Sequence, residues 1–450
     1  MECSNMLKRL FKILVGIAAF LLFLAILTLT TVDWSDYQEQ DYYHQTMRAI
    51  EDMELEGGAS RFLLAGWSTI NATPAEPQDL VGYKPRGEYE FIQDSSYIKT
   101  LVINNGQHAI AYLGYELLII HPQLAKMVEE KIIKELPIDK VYFTATHTHS
   151  GMGGYMPGLM GKIAFGGYDE AVVEMMKNQT VIGIQQAIAS LDTVRVQYKK
   201  TPAKEFVMNR FIAEDPIDPY FRQLIFTKTN GEKGIFITYS AHATCLSSKF
   251  MGLSGDYPQY LMNYLEEDNA DFALFAAGTV GSHRPTAQGN DIHAVKDYAD
   301  DLDSVLTAAT AKPIPVNDFS LQSTTISLSL RDAHYRISDN IRLRPWVFNA
   351  GFGDTNAHFD IVLLGNTLMI SSSGEISGVF YEKWEKKAAE EGLNLIITTF
   401  NGGYIGYITP DKYYNYNFHE VRDMNWFGPY NGAYFDEIIT GIIDTVSDSD

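Results

Sequence analysis

Cysteine is almost missing from this sequence: Cys3 and Cys245 are the only two in 450 residues. A disulfide framework and a thiolate zinc cluster are both excluded, so histidine and carboxylate must hold any transition metal. Basic residues are also scarce, with 35 Lys+Arg against 56 Asp+Glu and a formal charge of -21. Phosphate neutralisation needs a basic surface, so nucleic acid is excluded as the main partner. There is no internal repeat, no low-complexity stretch and no Pro-rich linker. What remains is 46% hydrophobic and 20% charged, enough apolar surface for a large core.

There is a single long hydrophobic run. Ile13 to Val32 carries no charge and reaches the roughly 20 residues a helix needs to cross the hydrocarbon core. Lys8, Arg9 and Lys12 precede it, and Asp33, Asp36, Glu39 and Asp41 follow. The positive-inside rule keeps the tail cytoplasmic and exports everything after Val32, into a periplasm or the extracellular space. Leu27–Val32 offers no small-x-small cleavage site, which favours a signal anchor over a cleaved signal peptide. The chain therefore divides into a cytoplasmic tail (1–12), a transmembrane signal anchor (13–32), a juxtamembrane helix or stalk (33–60) and one exported domain (61–450). It ends in Ser447-Asp448-Ser449-Asp450 soon after the last helical stretch, and no further domain is expected.

The exported domain reads as α/β. Apolar or alternating runs mark strands at 97–103, 108–120, 141–145, 194–198, 221–226, 234–239, 272–276, 319–330, 359–364, 367–370 and 393–399. Helical periodicity appears at 122–136, 171–191, 258–267, 292–311, 376–391 and 433–446. Asn230-Gly231 and Gly365-Asn366 each sit between two strand-like runs and read as tight hairpins. Hairpins and crossovers together predict a mixed sheet covered by helices and preceded by one transmembrane helix.

Four of these strands run into polar groups able to bind a metal. Val141–Thr146 leads to His147-Thr148-His149, Ile235–Ala241 to His242, Thr367–Gly374 to Glu375, and Leu395–Phe400 to a glycine-rich stretch ending at Tyr407. The C-terminal edge of a sheet is where α/β folds place their sites. His147 and His149 are two apart, so an extended backbone sets both on one face. Singly each residue has a plainer explanation: a surface His-x-His, a hydrogen-bonded core histidine, a helix-start glutamate, a core tyrosine. Their common position changes that balance. Two imidazoles and a carboxylate, with a place left for water, make a catalytic zinc site, and the lack of thiolates favours zinc over iron–sulfur or copper(I).

Thr146-His147-Thr148-His149-Ser150-Gly151-Met152-Gly153-Gly154-Tyr155 resembles the Thr-His-Thr-His-Ser-Gly-Pro-Gly-Gly-Tyr/Phe motif of neutral (non-lysosomal) ceramidases, with Met152 in place of proline. Asn209-Arg210, Ile217-Asp218-Pro219, Ser254-Gly255-Asp256, Gly374-Glu375 and Tyr407-Ile408-Thr409 are similar to later segments of the family, in order, from about Arg61 onward. The resemblance implies zinc held by His147, His242, Glu375 and Tyr407. It makes His149 and Arg210 groups that touch substrate or transition state, and it implies hydrolysis of the amide bond of ceramide or a related N-acyl lipid. Three departures stand out. Gly281-Ser282-His283-Arg284-Pro285-Thr286 replaces Gly-Asp-x-Ser-Pro-Asn, so Arg284 stands where the family has a serine. His419 stands where it has a substrate-contacting tyrosine. No counterpart of the family's C-terminal β-sandwich is expected.

The expected chemistry is attack of a metal-bound water on the amide carbonyl. Zinc, Arg210 and Tyr407 share the oxyanion, and His149 exchanges the proton, with His419 in reserve. Ser282 is the rival nucleophile. Hydrolysis of another amide or ester, or a non-catalytic lipid-binding role, stays open.

Overall fold

Near-continuous apolar runs in the middle of the chain become strands buried on both faces. The computed structural model describes residues 2–83, 85–353 and 355–448; Met1, Ser449 and Asp450, at the ends of the expected tail and domain, lie outside them. Eight strands form the larger sheet in the order Phe272–Ala277, Lys233–Tyr239, Tyr220–Lys228, Asp192–Pro202, Leu64–Asn71, Tyr97–Asn104, Ala109–Tyr115, Lys140–Ala145, and Ile314–Val316 adds to Asp192–Pro202. Its two outermost pairs are parallel and the rest antiparallel. A second sheet runs Glu56–Gly58, Leu321–Ser327, His358–Leu364, Thr367–Ser372, Asn394–Thr399, with only the last pair parallel. The mixed α/β reading holds, as do both hairpins.

The sheets face each other. Tyr112, Tyr142, Phe236 and Leu274 of the first pack with Val362, Met369 and Ile396 of the second. Helices cover the outer faces: Pro122–Glu135 and Glu170–Ala189 on one part of the large sheet, Asp256–Asp268 and Ile292–Ala308 on another, Tyr381–Glu390 and Asn431–Asp448 on the second sheet.

The strand Leu64–Asn71 was not marked by the periodicity; its Gly66, Ser68 and Thr69 dilute the apolar signal of an interior strand. The helix expected from Ile376 begins at Tyr381, because Glu375–Ile376 is drawn into a two-residue strand.

The N-terminal helix runs Glu2–Thr28, and an 18-residue window within Asn5–Thr28 has a mean hydropathy of 2.8 with no part buried. Its length and composition suit a membrane anchor or a signal sequence. The apolar run expected to continue to Val32 divides at Thr28: Leu29–Thr31 pairs antiparallel with Ile341–Leu343, and buried Val32 donates its N–H to Asn340 O at 3.0 Å. Residues 33–60 do not form a free stalk. Asp33 meets Arg331 at 2.8 Å, and the helix Asp41–Glu51 buries Ile50 against Asn431–Asp448.

Candidate metal centre

The four strand ends converge where the two sheets meet. Lys140–Ala145, at the edge of the large sheet, passes through Thr146 to His147, whose N–H donates to Leu117 O at 3.0 Å. His147 is not extended, as the two-residue spacing suggested; it has φ 61°. This left-handed turn still brings His147 and His149 together, with Nε2 atoms 3.3 Å apart. Lys233–Tyr239 delivers His242 from the same sheet. The second sheet delivers the others: Glu375–Ile376 and Tyr407–Ile408 pair in parallel with Glu375 directly beside Tyr407. His147, His149 and His242 can hold a metal ion, since each offers a ring nitrogen within 4.8 Å of the others.

The hydrogen bonds assign the tautomers. His147 Nδ1 lies 2.7 Å from Leu118 O and His242 Nδ1 lies 3.1 Å from Val280 O. A carbonyl only accepts, so in both rings Nδ1 carries the hydrogen. The two Nε2 atoms are then left with lone pairs facing each other across 2.8 Å. Two lone pairs at that distance repel unless a proton or a cation lies between them. Glu375 Oε2 completes the arrangement at 3.4 Å from His147 Nε2 and 3.9 Å from His242 Nε2, buried and without a hydrogen bond. Its other oxygen accepts from Tyr404 OH at 2.6 Å. Burial works to raise the Glu375 pKa, but His147, Tyr404 and Tyr407 outweigh it and hold the carboxyl below its ordinary range. Burial pushes His242 well below 6.5, aided by Arg210 and His147. Two imidazole Nε2 atoms that face each other and a buried carboxylate oxygen without a hydrogen bond are a donor set that a divalent cation fits.

His149 differs from its neighbours. Burial, His147 and Arg210 push its pKa well below 6.5. Its Nδ1 faces the Gly82 backbone without a hydrogen bond of good geometry.

Arg210 lies beside the cluster, its guanidinium carbon 5.6 Å from the Tyr407 ring centroid. Its nitrogens reach Gly281 O at 3.0 Å and Glu420 Oε1 at 3.0 Å. Burial opposes its charge, but Tyr407 and Glu420 prevail and its pKa is raised. His419 does not join the cluster; it is exposed, with Nδ1 2.9 Å from Asp423. Its neighbour Glu420 takes the inward position.

Ser282 is fully buried and bonded to two side chains, Ser377 Oγ at 2.7 Å and His283 Nδ1 at 3.0 Å. His283 Nε2 accepts the Asp218 N–H at 3.0 Å, and burial holds its pKa near 3, so the ring is neutral with its hydrogen on Nδ1. Ser282 therefore meets a donor, not a base. Arg284 lies in the strand His283–Pro285, paired with Val207–Asn209, and points to solvent.

The sequence reading missed the segment that packs over His149. Arg86 donates to His149 O at 2.5 Å, and Tyr83 lies 5.1 Å from the His149 ring, anchored by its hydroxyl to Leu246 O at 2.7 Å. At Gly82, with φ +105°, a Cβ would come within 2.6 Å of His149 Cα and 2.8 Å of its Cγ. Tyr404 and Phe400, which stacks on His147 at 4.3 Å, were also missed. Ser254 and Asp256 prove to be scaffolding: Thr148 Oγ1 donates to Ser254 O at 2.8 Å, and Asp256 accepts the Leu246 N–H at 3.0 Å.

Comparison with known proteins points one way. A family model described as neutral/alkaline non-lysosomal ceramidase, N-terminal, matches residues 66–296. A neutral ceramidase of Pseudomonas aeruginosa is 26% identical over 189 residues, which span 38% of this chain and 28% of that relative's length. The crystal structure of neutral ceramidase from Pseudomonas aeruginosa superposes with a TM-score of 0.71 at 16% identity, covering 87% of this chain and 75% of that one. A ceramidase complexed with C2 gives the same TM-score of 0.71 at 17% identity, covering 87% and 76%. At these identities the solved structures speak to the fold.

Proposed function

Because the chain belongs to the neutral/alkaline non-lysosomal ceramidase family, we propose that it is a zinc-dependent hydrolase of the amide bond of ceramide or a related N-acyl lipid. The observation that carries this reading is the pair of Nε2 lone pairs facing across 2.8 Å beside an orphaned carboxylate oxygen. We assign the ion to His147, His242, Glu375 and Tyr407, the set the family resemblance implies; in favour of His147 and His242 over His149, Nδ1 of those two is fixed by a backbone carbonyl and that of His149 is not. Nitrogen and oxygen donors without thiolate suit zinc.

Zinc held there supplies Lewis acidity, which brings the ionisation of water toward about pH 7. The chain's own groups do the rest. The Arg210 guanidinium and the Tyr407 hydroxyl stabilise the negative oxygen that develops as water adds to the amide carbon. His149 is neutral at rest, so Nε2 first takes a proton from that water and then passes it to the leaving nitrogen. The C–N bond breaks to give a fatty acid and a free amine. The loop of Gly82, Tyr83 and Arg86 holds His149 in place.

The helix Asn5–Thr28 is, in this reading, an uncleaved anchor with the domain on the extracytoplasmic side, supported by the basic residues before it and the acidic ones after it. A substrate other than ceramide has one observation in its favour: His419, where the family has a substrate-contacting tyrosine, turns to solvent.

The test is a panel of ceramide, other N-acyl lipids and lipid esters offered to the purified full-length chain, with zinc measured alongside. Fatty acid release from an N-acyl sphingoid ahead of the others is expected. Zinc-loaded protein that releases fatty acid from none of them would end the proposal.

Two variants probe the site further. Ser282→Ala should keep kcat within about threefold of wild type, because the hydroxyl faces a donor; trapping an acylated Ser282 peptide by mass spectrometry would reverse this. Gly82→Ala should lower kcat/KM about 100-fold through displacement of His149 while leaving the zinc content unchanged.

A further inference from the structure

We propose that the domain face around the exit of the N-terminal helix is a membrane-contact surface, seated in the interface of the bilayer that the helix crosses. This rests on the anchor reading above and adds a second, independent attachment to it.

The helix meets the domain without a linker. The strand Leu29–Thr31 starts directly after Thr28 and pairs with Ile341–Leu343. The Arg344 N–H donates to Thr28 O at 2.8 Å and its Nε to Ile26 O at 3.2 Å. A three-residue strand spans about 10 Å, so the residues flanking this junction lie within interface depth of the bilayer.

Those residues are apolar and uncovered. Trp34, Ile337, Ile341 and Trp346 expose 42%, 53%, 42% and 53% of their surface. Ile341 pairs with Thr31, Ile337 N–H bonds Ile341 O at 2.8 Å, and Trp346 lies two residues past Arg344. Tryptophan at a helix exit is the side chain that favours the headgroup level.

The apolar surface continues away from the helix. Trp346 opens the helix Pro345–Phe352, which packs on Gly158–Ala164. On the latter, Leu159 and Ile163 are four apart and exposed by 61% and 53%. Lys162 between them can extend its amine toward headgroups. Met160, Phe165 and Phe352 from these elements, with Trp426, wall a crevice of about 40 Å³ that reaches Tyr404, the residue bonded to Glu375. A lipid held at this face thus lies near a small apolar crevice lined by Tyr404, one hydrogen bond from Glu375.

The full-length chain is reconstituted into phosphatidylcholine–phosphatidylglycerol vesicles with ordinary or acyl-brominated lipid. Subtracting the emission of Trp346→Phe from that of wild type isolates Trp346. Brominated lipid should quench this component by about half or more, as for an interfacial tryptophan. Protein that floats with the vesicles while this component stays unquenched overturns the proposal; protein that does not float overturns the anchor reading and this proposal with it. The quenching needs no turnover, so it stands whatever the hydrolysis panel shows. In a second arm, Leu159→Asp with Ile163→Asp should cut hydrolysis of vesicle-embedded ceramide about tenfold and leave a micellar short-chain N-acyl substrate unaffected. Equal rates on both substrates, relative to wild type, would count against the surface.

Discussion

With His147 and His242 both replaced by Ala, the purified chain is expected to lose its zinc and its hydrolase activity together. Wild type should carry about one zinc per chain, and the double variant almost none, because two of the nitrogen donors are gone. Glu375→Gln is the subtler version. It keeps the shape but removes the charge that offsets the cation, and the loss in metal affinity should exceed the 10–100-fold typical of an outer-shell partner. Elemental analysis reads both results without any assay of turnover. Carefully purified wild type without metal would overturn the assignment.

The second large effect concerns His149. His149→Ala is expected to lower kcat by about 100-fold or more, the scale of a general acid–base group, with zinc content and KM close to wild type. The zinc measurement is what discriminates. His149 Nε2 is 3.3 Å from His147 Nε2, close to the 3.4 Å that separates Glu375 Oε2 from the same atom. A ligand role would therefore show as metal lost along with activity. Retained metal with a collapsed kcat marks a proton carrier.

Much of the centre was legible because strand ends are legible. Four apolar runs, each ending in a polar group, could be read one by one, and the structure brings His147, His242, Glu375 and Tyr407 to one place. His149 was placed correctly for a wrong reason, since the turn at His147 is left-handed. No local pattern announces such a turn at a non-glycine residue. The outward turn of His419 was not legible for a different cause: the helix His419–Arg422 is one turn long, and it is Glu420 that pairs with Arg210. The loop over His149 carries no motif either. Gly82 matters through what it touches in space, and contact between residues 82 and 149 leaves no trace in sequence spacing. The folding of residues 33–60 onto the domain was hidden by their acidic composition, while buried Ile50 and the bonds of Tyr37 and Tyr43 to Glu437 hold them there.

The parallel pairing of Glu375 with Tyr407 has a thermodynamic consequence. His147 and His242 follow strands of the large sheet, while Glu375 and Tyr407 sit in the two-stranded pair that follows strands of the second, so an ion bound among them cross-links two separately built layers. Its binding free energy adds to the cohesion of the layers, by about 2.7 kcal/mol when free ion is at 100 times its dissociation constant. Occupancy and rigidity are then linked quantities. Chelation should loosen the seam between the sheets before it disturbs either sheet, and amide hydrogen exchange at residues 374–377 and 406–409 should quicken ahead of exchange in the strands behind them.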